Sequence, residues 1–145
     1  MSFARFDTEM TVRPDDIDMN KHVHTSKYID YYLAARFDQM ERCYKMPMDE
    51  FLNNGWTWFI KSIRIDFRRQ LRIAERILVR TWLQSFGGSD VIIGFQIYRK
   101  ETMKIAAEGE VVNTLVSLHS GRSATVPEWV IQRYAQFVED GTSGP

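Results

Sequence analysis

Residues 3–13 alternate between side chains that suit a core and side chains that suit water, which is the period of a half-buried strand. Pro14 has no backbone N–H with which to continue a ladder, so the pattern predicts a first strand that ends at Arg13. The inward set is Phe6, Thr8, Met10 and Val12, and the outward set is Asp7, Glu9, Thr11 and Arg13.

A long helix is predicted from Ser26 to about Arg42, because apolar residues recur there at the three- and four-residue spacing of one helix face. We interpret the tyrosines at positions 28, 31 and 32 as packing residues of this helix. The predicted core face is Ile29, Leu33, Ala34, Phe37 and Met40, flanked by Tyr28 and Tyr32, with Asp30, Arg36, Asp38, Glu41 and Arg42 on the other faces.

Four β-rich segments follow Gly55; short breaks at residues 87–89 and 100–102 separate the last three, and a break at 120–122 ends the fourth. Short connections predict that consecutive strands are antiparallel neighbours. One strand, one long helix and four more strands predict an α+β fold in which an antiparallel sheet wraps one helix. The four segments are Trp56–Arg69, Arg76–Phe86, Asp90–Arg99 and Met103–Leu118.

Two shorter helices complete the prediction. Pro47 opens a connecting helix that Asn54-Gly55 closes. Pro127 opens a final amphipathic helix, and we expect residues 1–140 to form one domain and residues 141–145 a polar tail. The apolar residues of the final helix are Trp129, Val130, Tyr134, Phe137 and Val138.

Composition narrows the functional classes. The 145 residues contain 19 Lys plus Arg and 19 Asp plus Glu, so no bulk basic field points to nucleic acid as a partner. The single cysteine, Cys43, excludes an internal disulfide and is interpreted as a buried or half-buried thiol. Since no stretch approaches the ~20 apolar residues of a membrane span, we expect a soluble, cytoplasmic protein.

The densest chemistry lies in residues 13–28, between the first strand and the long helix. Asp18, Asn20 and His22 supply a carboxylate, an amide and an imidazole there, and Thr25 or Ser26 is predicted to cap the helix. Helix N–H groups beside a carboxylate and an imidazole suit an acyl-transfer site with a tetrahedral oxyanion. The alternative is an ordinary turn and cap, because Asp and Asn are common in both.

The run Asp16-Ile17-Asp18-Met19-Asn20-Lys21-His22-Val23, followed by Lys27-Tyr28, resembles the signature of the hotdog-fold thioesterases. It is most similar to the acyl-ACP thioesterase branch, whose pattern is D-x-D-x-N-x-H-V-N-N-x-K-Y. The 4-hydroxybenzoyl-CoA thioesterase-like branch shares the D-x-D and the later Tyr. This chain has His24-Thr25 in place of the two Asn after the Val, and Gln70-Leu71 in place of the Glu and Cys that end a later Y-R-R-E-C strand.

This resemblance implies a hotdog fold and hydrolysis of an acyl-CoA or acyl-ACP thioester without a cofactor. It implies that Asp18 acts as nucleophile or general base and that amides between His24 and Lys27 bind the oxyanion. Asn20 and His22 would assist, and since the Glu is absent at Gln70 the chemistry would depend on Asp18.

The resemblance also implies a pocket for the substrate. Val23, His24, Thr25 and Tyr28 are its expected contacts, and one tyrosine of the helix is an alternative lining residue of an acyl channel. Arg68, Arg69 and Arg72, with Arg64, form the densest basic cluster and are expected to meet a phosphate of the carrier. The alternative is that these arginines merely protect a strand end from other strands.

Other interpretations remain beside these. Asp15 and Asp16 are interpreted as turn formers or partners of Arg13, and His24 as a solvent-side or interface residue. A zinc site at His22 and His24 is disfavoured, because the chain offers only one further imidazole, His119. A non-catalytic hotdog module that binds acyl carriers, and a hotdog dehydratase or hydratase, remain the rival functions.

Self-association is predicted from strands that carry apolar residues on both alternating faces, because one helix cannot cover both. The resemblance implies that two protomers share an interface at their active sites, so we expect a homodimer or homotetramer. The double-sided segments are Val91-Ile92-Ile93 and Val111-Val112.

Overall fold

Five antiparallel strands form one sheet in the computed structural model, which describes residues 2–135 and 137–138. A two-stranded sheet lies beside it, and a single 3₁₀ turn spans Pro14–Asp16. The predicted tail at 141–145 lies outside the described residues. In chain order the elements are β1 (Ser2–Phe3), β2 (Arg5–Thr11), α1 (Thr25–Arg42), α2 (Met48–Asn53), β3 (Trp56–Phe67), β4 (Arg76–Gly87), β5 (Asp90–Arg99), β6 (Ile105–Ser117), α3 (Glu128–Tyr134) and β7 (Phe137–Val138).

The α+β prediction is confirmed: α1 packs on one face of the sheet, and its tyrosines enter the core. Tyr32 stacks against Phe95 of β5, with ring centroids 4.9 Å apart. Tyr28, Tyr31 and Tyr32 are all buried, as expected of packing residues. No helix in the described part of the chain has the length and apolar character needed to cross a membrane.

The sheet order is β2-β4-β5-β6-β3, so one predicted neighbour relationship is wrong. β3 pairs with β6 and not with β4, although β4 follows it in the chain. The other edge of β4 is occupied by β2, where Arg80 and Asp7 form an ion pair at 2.8 Å. Residues 68–75 therefore cross from one side of the sheet to the other, and they pass the start of α1 on the way.

Several element boundaries also differ from the prediction. The first strand ends at Thr11 and not at Arg13, and β3 and β6 are shorter than their predicted segments. The first strand is divided at Ala4, with β1 and β2 on either side. The last helix ends at Tyr134, and Phe137–Val138 form β7, which pairs antiparallel with β1. A short strand that pairs with the opposite end of the chain has no local pattern from which it can be predicted.

The buried face of α1 is rotated relative to the predicted face. Leu33 and Phe37, predicted to be core residues, are 41% and 57% exposed, whereas Arg36 and Gln39 are buried. Gln39 donates from its amide to the Thr8 hydroxyl at 3.0 Å, and Arg36 donates to the Thr81 hydroxyl at 3.2 Å. These bonds compensate the burial of polar groups, so the tyrosine side of the helix faces the sheet.

Candidate active site

Asp18 begins a tight turn that interrupts the loop between β2 and α1. Its N–H donates to the carbonyl of His22 at 2.8 Å, and the N–H of Lys21 donates back to the carbonyl of Asp18 at 3.0 Å. Lys21 has a φ of 63°, a left-handed conformation that closes the turn. Met19 stands at the tip of the turn and is 98% exposed. The turn therefore presents its side chains outward beside a fixed backbone.

The Asp18 carboxylate is held by the backbone of its own turn. Oδ1 accepts the N–H of Asn20 at 2.8 Å and the N–H of His22 at 3.2 Å. The His22 N–H is the main cause that lowers the pKa of Asp18, because a hydrogen bond to the charged form favours it. Oδ2 accepts no hydrogen bond from the described residues. Asp18 therefore offers one free oxygen on a carboxylate that is ionised at neutral pH.

The predicted trio meets through main-chain atoms. Asn20 and His22 contact the Asp18 carboxylate with their backbone N–H groups, and among residues 2–135 their side chains have no hydrogen-bond partner. Asn20 is exposed and His22 is half-buried. The amide and the imidazole are therefore free to meet a ligand or water.

The start of α1 has backbone N–H groups without acceptors. The helix begins at Thr25 with His24 as the N-cap, and no side chain caps it, so the predicted cap by Thr25 or Ser26 is wrong. Lys27 donates to the carbonyl of His24 at 2.9 Å, but the amides of Thr25 and Ser26 have no acceptor in the described part of the chain. These two N–H groups lie at the positive end of an 18-residue helix dipole.

Asp16 anchors the loop between β2 and α1. The carboxylate is buried, and Oδ2 accepts the Tyr31 hydroxyl at 2.8 Å and the N–H of Arg13 at 3.1 Å. The neighbouring Asp15 forms an ion pair with Arg13 at 3.2 Å. Both aspartates are therefore turn residues, as interpreted from the sequence. Burial and the Asp16 bond raise the pKa of Tyr31 far above its ordinary value, so its hydroxyl remains a donor.

A second anchor joins the loop to the segment after β3, and the sequence analysis missed it. The Tyr28 hydroxyl accepts the N–H of Leu71 at 3.1 Å and donates to the carbonyl of Arg69 at 3.4 Å. The N–H of Val23 donates to the carbonyl of Leu71 at 2.9 Å, and His22 pairs with Arg72 in an isolated bridge. The only sequence signal for this anchor is the Tyr at the end of the motif.

Most of the predicted site residues border one of two concavities, whereas His22 and Arg72 line neither of these two. The Asp18 carboxylate, Asn20 and His24 border a broad, open one. A narrower one of about 160 Å³ lies on the other side of the helix start and includes Gln70. Its remaining lining residues are Val23, Thr25, Tyr28, Phe67, Arg68 and Arg69.

The arginines of the predicted basic cluster differ in their partners. Arg68 forms an ion pair with Glu108 at 3.2 Å, and Arg64 lies 3.8 Å from Glu110. Arg69 donates to the carbonyl of Ile105 at 2.6 Å. Arg72 is exposed and has no ion pair within residues 2–135. The interpretation as strand-end protection therefore fits Arg64 and Arg68, whereas Arg72, beside His22, keeps a free guanidinium.

The imidazoles do not gather. His24 is exposed at the helix start, and His119 is exposed on the turn after β6. Within the described ranges no three His, Cys, Asp or Glu side chains are arranged to hold a metal ion.

Comparisons with known proteins agree with this architecture. The long-chain acyl-CoA thioesterase FadM of Escherichia coli is 19% identical over 132 residues, which cover 91% of this chain and 98% of FadM. Slr0204, a 1,4-dihydroxy-2-naphthoyl-CoA thioesterase from Synechocystis, superposes with a TM-score of 0.81 at 15% identity over 90% of this chain and 96% of its own. SAV2348 from Staphylococcus aureus, solved in complex with CoA, has a TM-score of 0.81 at 18% identity over 98% and 92%.

The structural likenesses confirm the predicted hotdog fold. The model of the Thioesterase-like superfamily matches residues 12–134, which include the Asp18 turn, α1 and the sheet from β3 to β6. This match supports thioester hydrolysis as the activity. The chain belongs to the Thioesterase-like superfamily.

Proposed function

We propose that this protein hydrolyses acyl-CoA thioesters, with Asp18 as the reacting carboxylate and the amides of Thr25 and Ser26 as the oxyanion hole. The observation that carries the proposal is the ionised Asp18 carboxylate, with one oxygen held by two backbone N–H groups and the other free. The turn that holds it leads directly into an uncapped helix start. A negative nucleophile or base and a donor pair are what acyl transfer requires.

Two routes are compatible with this arrangement. As a general base, the free Asp18 oxygen takes a proton from water while the water oxygen attacks the carbonyl carbon. As a nucleophile, the same oxygen attacks that carbon, and water then hydrolyses the acyl-carboxylate anhydride. In both routes the carbonyl oxygen becomes an oxyanion facing the Thr25 and Ser26 amides. The C–S bond then breaks, and the carrier's thiolate leaves and is protonated.

The neighbouring side chains receive supporting roles. We assign the free amide of Asn20 and the free imidazole of His22 to the attacking water or the leaving group, because neither is used by the turn. Val23, Thr25 and Tyr28 border the narrower concavity at the helix start, and His24 borders the open one beside Asp18.

Arg72 is the proposed contact for a CoA phosphate. It has no carboxylate partner in the described part of the chain, and a guanidinium suits phosphate oxygens. Arg68 and Arg69 are weaker candidates, since each already has an acceptor in the protein.

The named relatives favour CoA as the carrier. FadM is a long-chain acyl-CoA thioesterase, and SAV2348 was solved with CoA. We therefore propose acyl-CoA as the substrate, with acyl-ACP as the alternative.

We also propose that the working form is a homodimer or homotetramer. β3 is an edge strand with one neighbour, so half of its backbone groups are available for pairing. Leu33 and Phe37 are exposed on α1. The outer face of the sheet supports self-association less strongly than predicted, because ion pairs such as Lys61–Asp90 join side chains on that face.

Two observations favour a binding module without catalysis. One carboxylate oxygen of Asp18 already accepts hydrogen bonds from its own turn, and Gln70 occupies the position where the acyl-ACP branch has a Glu. The two functions are separated by incubating the pure protein with acyl-CoAs of several chain lengths, and with the same acyl groups on ACP, while free thiol is measured. Turnover supports the hydrolase. Saturable binding without thiol release contradicts it and supports the module.

A further inference from the structure

A third cavity lies between α1 and the sheet, away from the Asp18 turn. It has a volume of about 210 Å³ and is open on one side. Leu33 and Phe37, the exposed large hydrophobic residues of α1, contribute to its lining, and Trp58 and Ile60 of β3 form part of another wall. A cavity of this size with mostly aliphatic and aromatic walls suits an aliphatic chain.

Arg36 brings a positive charge into this apolar lining. Its side chain is buried, with only 8% of the residue exposed. Nη1 donates to the Thr81 hydroxyl at 3.2 Å, and the guanidinium carbon lies 5.2 Å from the ring of Tyr44 and 5.7 Å from the ring of Tyr134. No carboxylate lies within ion-pair distance of it in the described ranges.

This environment compensates the charge of Arg36 only in part. A guanidinium has five N–H donors, and aromatic faces and one hydroxyl satisfy it only in part. Buried arginines are ordinarily paired with an anion, because desolvation of an unpaired charge is costly. The site is therefore complementary to a negative group that arrives with a ligand.

Trp58 provides a second argument for a ligand that carries an acceptor. Trp58 lines the cavity, and its buried indole Nε1 has no hydrogen-bond acceptor among the described residues. Buried N–H groups are rarely left unpaired, so this one also calls for an acceptor. A ligand with an aliphatic body and an oxygen-rich anionic end would satisfy both residues.

We infer that the cavity beside Arg36 binds an aliphatic carboxylate, whose carboxylate pairs with the Arg36 guanidinium. Two sources carry this chemistry: the far end of an acyl group derived from a dicarboxylic acid, and a free fatty acid. The choice between these sources rests on the proposed thioesterase function, whereas the binding itself does not.

Binding is tested by calorimetry on the full chain with decanoate and with decan-1-ol as probes. We expect decanoate to bind at least about tenfold more tightly, which is the usual worth of a hydrogen bond to a charged group. Equal affinity for the acid and the alcohol would overturn the inference.

Variants assign that preference to Arg36. Arg36→Met should abolish the tenfold difference, and a preference that survives in a folded Arg36→Met protein overturns the assignment. Circular dichroism and thermal unfolding monitor folding. Should Arg36→Met fail to fold, Ile60→Trp fills the cavity from β3 with the charge retained. It should then remove decanoate binding, and unchanged binding contradicts the proposal.

The two sources are separated by turnover. If the substrate carries the carboxylate, the CoA half-thioester of decanedioic acid should exceed decanoyl-CoA in kcat/KM by about tenfold, and Arg36→Met should erase that preference. Equal turnover together with decanoate binding identifies the free acid as the ligand. If no thioester is hydrolysed while decanoate still binds in preference to the alcohol, the proposed function fails and this inference stands.

Discussion

One oxygen of the Asp18 carboxylate accepts the backbone N–H of His22 at 3.2 Å, four residues further along the chain. The same oxygen accepts the N–H of Asn20, so the turn holds its own acidic group without any other side chain. The carboxylate is therefore oriented by backbone geometry, while the side chains of Asn20 and His22 remain available. The groups that position the carboxylate are therefore different from the side chains that could contact a ligand.

The first prediction concerns pH. Hydrogen bonds lower the pKa of Asp18 from its ordinary value of 3.8, so the carboxylate stays charged as the pH falls through that value. We expect kcat/KM to show no acid limb from Asp18 between about pH 5 and 8, because the ordinary range of Asp already lies below this window. Thiol release over that range, with folding checked at each pH, is the measurement.

An acid limb inside that window would change the assignment. If kcat/KM fell as the pH was lowered from 8 to 5 and His22→Gln removed that fall, the imidazole would be the base. Asp18 would then only support the turn.

The second concerns the anchor between α1 and the segment after β3. Tyr28→Phe leaves the buried N–H of Leu71 without its acceptor, which should lower the free energy of unfolding by about 1–3 kcal/mol. Urea denaturation measures the loss. Tyr98→Phe is the control, because its hydroxyl donates to the Gln96 side chain on a half-buried strand surface. We expect it to change stability by no more than about 0.5 kcal/mol. Equal losses would contradict the special role of Tyr28.

The third prediction concerns the pairing of β6 with the edge strand β3. A Cβ at Gly109 would lie 1.9 Å from the carbonyl oxygen of Arg64, so β3 and β6 must separate to accept it. Gly109→Ala should therefore destabilise the protein by about 1–3 kcal/mol or more. Gly87→Ala has open space and an ordinary φ, and it should stay within about 0.5 kcal/mol of the wild type. A tolerated Gly109→Ala would mean that the strands are not so closely paired.

Local patterns predicted most of the fold. Proline, glycine and hydrophobic period mark element ends, so β5 was predicted at its observed bounds and α1 within one residue. Strand order was not predictable in the same way, because β3 pairs with β6 across 39 intervening residues or more, from Phe67 to Ala107, and not with its successor β4. Pairing at that distance depends on the whole sheet and not on a turn.

The sequence predicted which residues form the candidate site but not how they are arranged. The motif brought attention to Asp18, yet only the fold shows that backbone N–H groups hold its carboxylate. The exposure of Phe37 and the burial of Arg36 also escaped prediction, because Thr81, which accepts one hydrogen bond from the buried Arg36, lies on a distant strand. Such compensation cannot be read from one helix.

The most direct test of the central claim compares two carboxylates of the same loop. Asp18→Asn keeps an oxygen that can accept the turn's N–H groups but removes the charge, and Asp15→Asn removes the exposed partner of Arg13. With thiol release from acyl-CoA as the measurement, we predict that Asp18→Asn lowers kcat by about 10²-fold or more while folding is retained. Asp15→Asn should keep nearly full activity. An Asp18→Asn protein that turns over at the wild-type rate would contradict the account.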